Sequence, residues 1–286
     1  MKRRINVIRS PFTGFCFGVK RAMRLIEQGL AAHGVPIYTL GAVIHNPQEV
    51  ERLRSRGVMP VNSVGELEKG AVLILRAHGV HPDFYREAKR LGIHLIDATC
   101  PFVQRSQKYV QRLLDESYRV IIIGDGTHPE VQSISGHAGD QAIIIETVEE
   151  ARALEQLEKG GVVIQTTFSR EKARQIIDIL TSRIRDLRIY DTVCQATVLR
   201  REATLELAED VDLMLVIGGR ESSNTRRLYQ MCVDAGIPAR FIETADEIDP
   251  TWFDDCRTVG LTTGTSTPDW VIEDVLKRLD EISNEG

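Results

Sequence analysis

No stretch of this sequence is long and apolar enough to cross a bilayer: runs such as "AVLIL" and "RVIIIG" fall far short of the ~20 residues a span requires. Cysteine is scarce, with five residues scattered over 286. That odd number excludes a fully paired disulfide framework and fits a reducing cytoplasm. Basic excess is missing as well, since the formal charge is -5, so no global field attracts nucleic acid. Only the beginning is locally basic, with Lys2, Arg3, Arg4, Lys20, Arg21 and Arg24. The segment "INVIRSPFTGF" lacks a continuous apolar core and a small-residue cleavage site, so secretion is not expected. Familiar phosphate motifs are absent too. "GFCFGVKRA" does not end in Gly-Lys-Ser/Thr, and "GDGTHPE" lacks the third glycine of a dinucleotide fingerprint, which argues against ATP and NAD.

What is present is a regular alternation. Apolar runs ("INVIRS", "PIYTLGAV", "AVLILRAHG", "HLIDATC", "RVIIIGDG", "AIIIET", "VVIQTTFS", "LRIYDTVC", "LMLVIGG", "ARFIET", "TVGLTTG") take turns with amphipathic stretches such as "QKYVQRLLDESY" and "EKARQIIDILTSRI". Strand alternating with helix means parallel α/β sheets. A length of 286 residues with 42% hydrophobic composition suits two or three domains.

The alternation repeats. Cys100 and Cys194 share the frames "DATC" and "DTVC", and a glycine closing the next strand, Gly124 or Gly218, follows each after 24 residues. Cys16 is followed after 25 residues by Gly41. Polar groups recur at matching offsets: His45, His128 and Ser222 lie 29, 28 and 28 residues after their cysteines. A later strand of each repeat ends in His78, in Thr166 and Thr167, or in Ser266. Side chains at the carboxyl ends of parallel strands converge on one edge, where ligands bind. The expectation is therefore three similar α/β domains, at residues 1–97, 98–191 and 192–286, with small, mostly parallel sheets around a pseudo-threefold axis. Each contributes one thiol and two polar loops to a common centre.

Three converging thiolates suit zinc completed by water, or a cubane iron–sulfur cluster with one iron open, and spacing does not choose between them. Cys232, four residues after Leu228 on a helical pattern, and Cys256, just ahead of a strand, read as structural. The loops "HNPQEV", "THPEV", "ESSNTRRL" and "TSTPDWV" each set polar residues just ahead of a helix, where free N–H groups attract phosphate. Helix ends contribute only about 0.3–1 kcal/mol apiece, so charged hydrogen bonds must supply most of the affinity for an anion. His45, His78, His128, Ser222, Ser223, Asn224, Ser266 and Thr166 are placed to do so. Glu130 is the exception, because a carboxylate beside a bound anion is repelled unless protonated. That conflict marks it as a proton donor.

Nine segments in order, "GFCFGVKRA", "GAVIHNP", "RAHGV", "DATCPFV", "THPEV", "QTTFS", "DTVCQAT", "SSNTRRL" and "TTGTSTPDW", resemble the 4-hydroxy-3-methylbut-2-enyl diphosphate reductase family, which acts last in the methylerythritol phosphate route to isoprenoids. The resemblance implies a trefoil of α/β domains around a 4Fe-4S cluster held by Cys16, Cys100 and Cys194, with the substrate hydroxyl on the open iron. It further implies that His45, His78, His128, Ser222, Ser223, Asn224 and Ser266 cradle the diphosphate. Thr166 lies beside the reacting hydroxyl, Thr167 is taken as a further substrate-binding residue, and Glu130 feeds protons. A ferredoxin or flavodoxin is the implied one-electron donor, with no nucleic acid or membrane partner and a cytoplasmic location. Glu221 stands where the family commonly has Asn, which adds an acid beside the diphosphate loop.

Overall fold

The computed structural model describes residues 5–285. The first elements in chain order are β1 (Asn6–Arg9), α1 (Phe17–His33), β2 (Ile37–Leu40), α2 (Pro47–Ser55), β3 (Val58–Val61), β4 (Val72–Leu75), α3 (Pro82–Leu91) and β5 (His94–Asp97). Next come α4 (Pro101–Asp115), β6 (Arg119–Ile123), α5 (Pro129–Gly136), β7 (Ile143–Ile145), α6 (Val148–Ala153), β8 (Leu157–Ile164), α7 (Arg170–Arg183) and β9 (Ile184–Tyr190). The chain ends with α8 (Gln195–Glu209), β10 (Leu213–Ile217), α9 (Ser223–Asp234), β11 (Ala239–Ile242), β12 (Thr258–Thr263) and α10 (Asp269–Glu285).

The strands form three four-stranded sheets, ordered β3-β2-β4-β5, β7-β6-β8-β9 and β11-β10-β12-β1. Every recorded strand pair is parallel. The three orders are one topology, except that the last sheet takes its fourth strand from the other end of the chain. β1 pairs with β12, Asn6 opposite Thr258, so a division at residues 97 and 191 does not follow sheet membership at the N-terminus. By compactness the chain makes two units: residues 1–20, 44–52 and 195–286 hold the β10 sheet, and residues 21–43 and 53–194 hold the other two.

Burial explains why the central strands were legible as apolar runs. β4 and β10 are buried along their whole length, as strands covered by helices on both faces require. In the β10 sheet, Leu213, Leu215 and Ile217 pack with Ile272, Val275 and Leu279 of α10, while Met214 and Val216 face Leu228 and Cys232 of α9. In the β6 sheet, Val120, Ile122 and Val163 pack with Val110 and Leu113 of α4 and with Val131 and Ile134 of α5. Gly161 allows that approach, because a Cβ there would collide with Leu113. The "VMPV" strand, β3, had no sequence signal. Pro60 cannot donate to a ladder and is tolerated because β3 is an edge strand.

Candidate functional site

In each sheet the order places two strands at the point where the connections reverse direction: β2 and β4, β6 and β8, β10 and β12. Ligands bind outside the carboxyl ends at such switch points. The polar residues singled out from the sequence follow these strands, with His45 after β2, His78 after β4, His128 after β6, Thr166 after β8, Ser222 after β10 and Ser266 after β12. The cysteines occupy a third equivalent place. Each stands between an edge strand (β1, β5 or β9) and the helix that follows it.

The cysteine backbone is fixed in the same way three times. Cys16 N–H donates to Thr265 O at 3.0 Å, Cys100 N–H to Ala77 O at 2.9 Å, and Cys194 N–H to Thr166 O at 2.8 Å. Each acceptor lies two residues beyond the end of the neighbouring strand, β12, β4 or β8. The parallel ladder is thus extended to hold each cysteine immediately before a helix. None of the five cysteines is in a disulfide. Cys232 is fully buried against Leu228 and Met214, and burial pushes its thiol up to about 11. Cys256 is half-buried just ahead of β12, with its Sγ toward Thr258 O. Both fit the structural roles expected of them.

Within the unit that holds the β4 and β6 sheets, Glu130 and Thr166 meet. Thr166 N–H donates to Glu130 Oε1 at 2.6 Å, and Thr166 Oγ1 to Glu130 Oε2 at 2.7 Å. Glu130 is 1% exposed. Burial lifts its carboxyl to about 6, against the opposing pull of the two Thr166 bonds. His128 caps α5 by accepting from Glu130 N–H at 3.1 Å through Nδ1. Its ring meets that of His78 edge-on at 5.4 Å. Thr167 Oγ1 accepts from Gln165 Nε2 at 3.2 Å, and Gln165 Oε1 accepts from Asp125 N–H at 3.0 Å. Gln165 therefore braces the β6 and β8 loops, a role without a local sequence signal.

Within the unit that holds the β10 sheet, the loops pack tightly. Ser266 Oγ donates to His45 O at 3.2 Å, and a Cβ on Gly219 would strike that same carbonyl. Asn46 caps α2, accepting from Glu49 N–H at 2.9 Å. Ser222 caps α9, accepting from Thr225 N–H at 3.3 Å, and Ser223 is half-buried behind it. Asn224 is 3% exposed, and neither its Nδ2 nor its Oδ1 has a partner among the described residues. A buried amide left so is costly unless a ligand satisfies it. Glu221, the extra acid of the loop, is exposed.

Arg200 is the residue whose place the sequence concealed, since "VLRREA" reads as a solvated helix face. It is 4% exposed. Its Nη1 donates to Thr263 O at 2.7 Å, Thr263 Oγ1 at 2.9 Å and Gly264 O at 3.0 Å, and its Nη2 to Gly14 O at 2.9 Å. The guanidinium thereby ties the loop before Cys16 to the end of β12. Burial pulls it down to about 10, and the Cys16 thiol opposes that pull.

The LytB protein family matches residues 7–280. A 4-hydroxy-3-methylbut-2-enyl diphosphate reductase of Citrifermentans bemidjiense is 41% identical over 281 residues, covering 98% of this chain and 99% of the relative. The enzyme of the same name from Aquifex aeolicus is 39% identical over 281 residues, covering 97% of each. A solved structure described as (E)-4-hydroxy-3-methyl-but-2-enyl diphosphate reductase, the terminal enzyme of the non-mevalonate pathway, superposes with a TM-score of 0.74 at 39% identity, covering 97% of this chain and 99% of that one. The Plasmodium falciparum E-1-hydroxy-2-methyl-but-2-enyl-4-diphosphate reductase superposes with a TM-score of 0.90 at 28% identity, covering 99% and 89%.

Proposed function

From the premise that this chain belongs to the LytB family of 4-hydroxy-3-methylbut-2-enyl diphosphate reductases, we propose that Cys16, Cys100 and Cys194 hold a 4Fe-4S cluster beside a diphosphate pocket. The reaction is reductive dehydroxylation: the allylic hydroxyl leaves as water, two electrons and two protons enter, and isopentenyl and dimethylallyl diphosphates result. The donor set fits the cluster, because three thiols outside any disulfide stand at helix starts, and thiolate is the ligand type that iron–sulfur clusters take. When bound, such a cluster supplies electrons one at a time and an open iron that polarises a hydroxyl.

The protein's own residues bind the substrate and move the proton. His45, His78, His128, Ser222, Ser223, Asn224 and Ser266 receive the diphosphate, and the unsatisfied Asn224 amide supports that assignment. Thr166 and Thr167 line the reacting end. Glu130, lifted to about 6 by burial, carries its proton at Oε2 when it acts as donor, because Oε1 accepts the Thr166 N–H. The contact between Oε2 and Thr166 Oγ1 at 2.7 Å provides a path once its direction reverses: the protonated carboxyl donates to the Thr166 oxygen, and the Thr166 hydroxyl, released from Oε2, donates onward to the leaving hydroxyl. A diphosphate nearby raises the carboxyl further and keeps it protonated.

The observation that carries this reading is the threefold recurrence of the cysteine N–H bond two residues beyond a strand end. Electrons come from an external carrier such as a ferredoxin or flavodoxin. No helix among the described residues is long and apolar enough to cross a membrane, and thiols outside disulfides suit the cytoplasm. The test is anaerobic purification followed by an assay with the allylic diphosphate and reduced methyl viologen. Brown protein with iron and sulfide near four each per chain, and both products, are expected. Colourless, zinc-loaded protein without reductive turnover refutes the proposal.

A further inference from the structure

The reductase reading leaves one requirement unmet: electrons enter from outside, yet no motif for a flavin or nicotinamide is present. The charge distribution indicates where they arrive. Although the whole chain is at -5, its first 26 residues contain Lys2, Arg3, Arg4, Arg9, Lys20, Arg21 and Arg24 and no Asp or Glu. Cys16 lies inside this single-signed stretch. The sequence around the other two proposed ligands is mixed in sign, with Asp97 and Arg105 near Cys100 and Arg188 and Asp191 near Cys194.

Exposed apolar surface gathers in the same place. Phe12 is 38% exposed and Phe17 is 60% exposed. Phe17 follows Cys16 directly, about 3.8 Å away between Cα atoms. Lys20, three residues on along α1, is exposed on the same helix face as Phe17. Arg9 is exposed at the end of β1, an edge strand, with its Nε held by Thr13 Oγ1 at 2.5 Å. Aromatic anchors set beside basic side chains are how a protein surface recognises an acidic partner, and here they outweigh one acid, Asp269, whose carboxylate lies against Gly14.

We propose that Arg9, Phe12, Phe17 and Lys20 form the docking surface for an acidic one-electron carrier protein, which gives up its electrons beside Cys16. This rests on the reductase reading and on Cys16 as a cluster ligand. Each encounter oxidises one carrier by one electron, so two encounters serve each substrate. The basic charges steer the carrier in, a type of effect that changes association rates by ~10–1000-fold and fades with salt. The phenylalanines hold the partner against the ligand-bearing turn.

The experiment compares reconstituted holoprotein with its Phe17→Ser/Lys20→Glu variant, using two reductants: a small acidic ferredoxin kept reduced by its own reductase, and reduced methyl viologen. At low ionic strength, kcat/KM for the ferredoxin is expected to fall at least ~10-fold with a flattened salt dependence. Viologen turnover and iron per chain are expected to stay within about twofold, since neither needs the protein–protein contact. Unchanged ferredoxin kinetics overturn the proposal. A parallel fall with both reductants also overturns it, because the two residues then act on the site and not on docking. Should the double variant fail to load iron, Arg9→Glu is judged by the same two ratios. Wild-type holoprotein that turns over with neither reductant fails the reductase reading itself, a result visible before any variant is made.

Discussion

Glu130→Gln removes the charge of the buried carboxyl while keeping its shape. The glutamine retains an oxygen for Thr166 N–H, and its amide nitrogen donates to Thr166 Oγ1, reversing the present bond. Burial moves the carboxyl from 4.5 to about 6, and at 1.36 kcal/mol per unit this corresponds to about 2 kcal/mol between the two protonation states. The sign follows from proton uptake: the folded chain holds this proton more tightly than the unfolded one. Below about pH 4.5 both states are protonated and the carboxyl costs nothing. As pH rises through about 6 the folded state must accept a buried charge, and that stability is lost. Relative to Glu130→Gln, the wild type should therefore lose about 2 kcal/mol between about pH 4.5 and pH 7. Urea unfolding of both proteins across that range measures the gap. Turnover with reduced viologen should fall by ~100–10,000-fold in the variant, the range for loss of a positioned proton donor. Diphosphate binding should persist. A stability gap that does not change with pH, or turnover within a few-fold of wild type, refutes the assignment of a protonated, proton-donating Glu130.

Cys194→Ser should lower iron per chain and bleach the visible absorption of the reconstituted protein, and normal occupancy would contradict the three-cysteine ligand set. Asn224→Ala removes an amide whose two polar atoms have no protein partner, so thermal stability should hold or rise slightly, whereas substrate affinity should drop by roughly 10-fold or more, about one hydrogen bond to a charged group. Unchanged affinity by calorimetry would remove Asn224 from the diphosphate cradle. Arg200→Met strands the carbonyls of Gly14, Thr263 and Gly264 and should cost about 2–4 kcal/mol in denaturant unfolding. Loss below ~1 kcal/mol would show that water replaces the guanidinium there.

Local chemistry was legible and long-range pairing was not. The buried runs of β4, β6 and β10 announce themselves because central parallel strands are apolar on both faces. "VMPV" does not, since an edge strand needs neither continuous burial nor every N–H. The repeat of cysteine, glycine and polar loop could be counted along the chain, and it identified the loops that follow the switch-point strands. That β1 completes the β12 edge could not be counted, because the pairing of Asn6 with Thr258 spans nearly the whole chain. Glu130 stood out as an acid beside expected anion binders, but its partner Thr166 lies 36 residues away and became visible only in three dimensions. Arg200 was invisible for a related reason: an arginine on a helix reads as solvated until the carbonyls around it are known.

The three cysteines show why an edge strand, rather than a central one, carries each proposed ligand. A central strand has neighbours on both sides, so its end is committed to ladders and its loop to a crossover. β1, β5 and β9 each have one neighbour, and only one further N–H bond is needed to carry that ladder past the strand end to the cysteine. The residue is then pinned on one side by a sheet, and on the other it opens a helix whose first N–H groups are unpaired. Thus the backbone is fixed while the thiol stays at the surface of its unit, half-buried in all three cases. A cysteine position so made depends little on the side chains around it. This predicts that substitutions at Phe17, Pro101 or Gln195, the exposed residues after each cysteine, leave iron loading intact, whereas shifting Cys100 by one residue abolishes it. Iron analysis of Gln195→Ala against the paired exchange Cys100→Thr with Thr99→Cys decides the matter, and equal loading of the two would show that the extended ladder does not position the thiol.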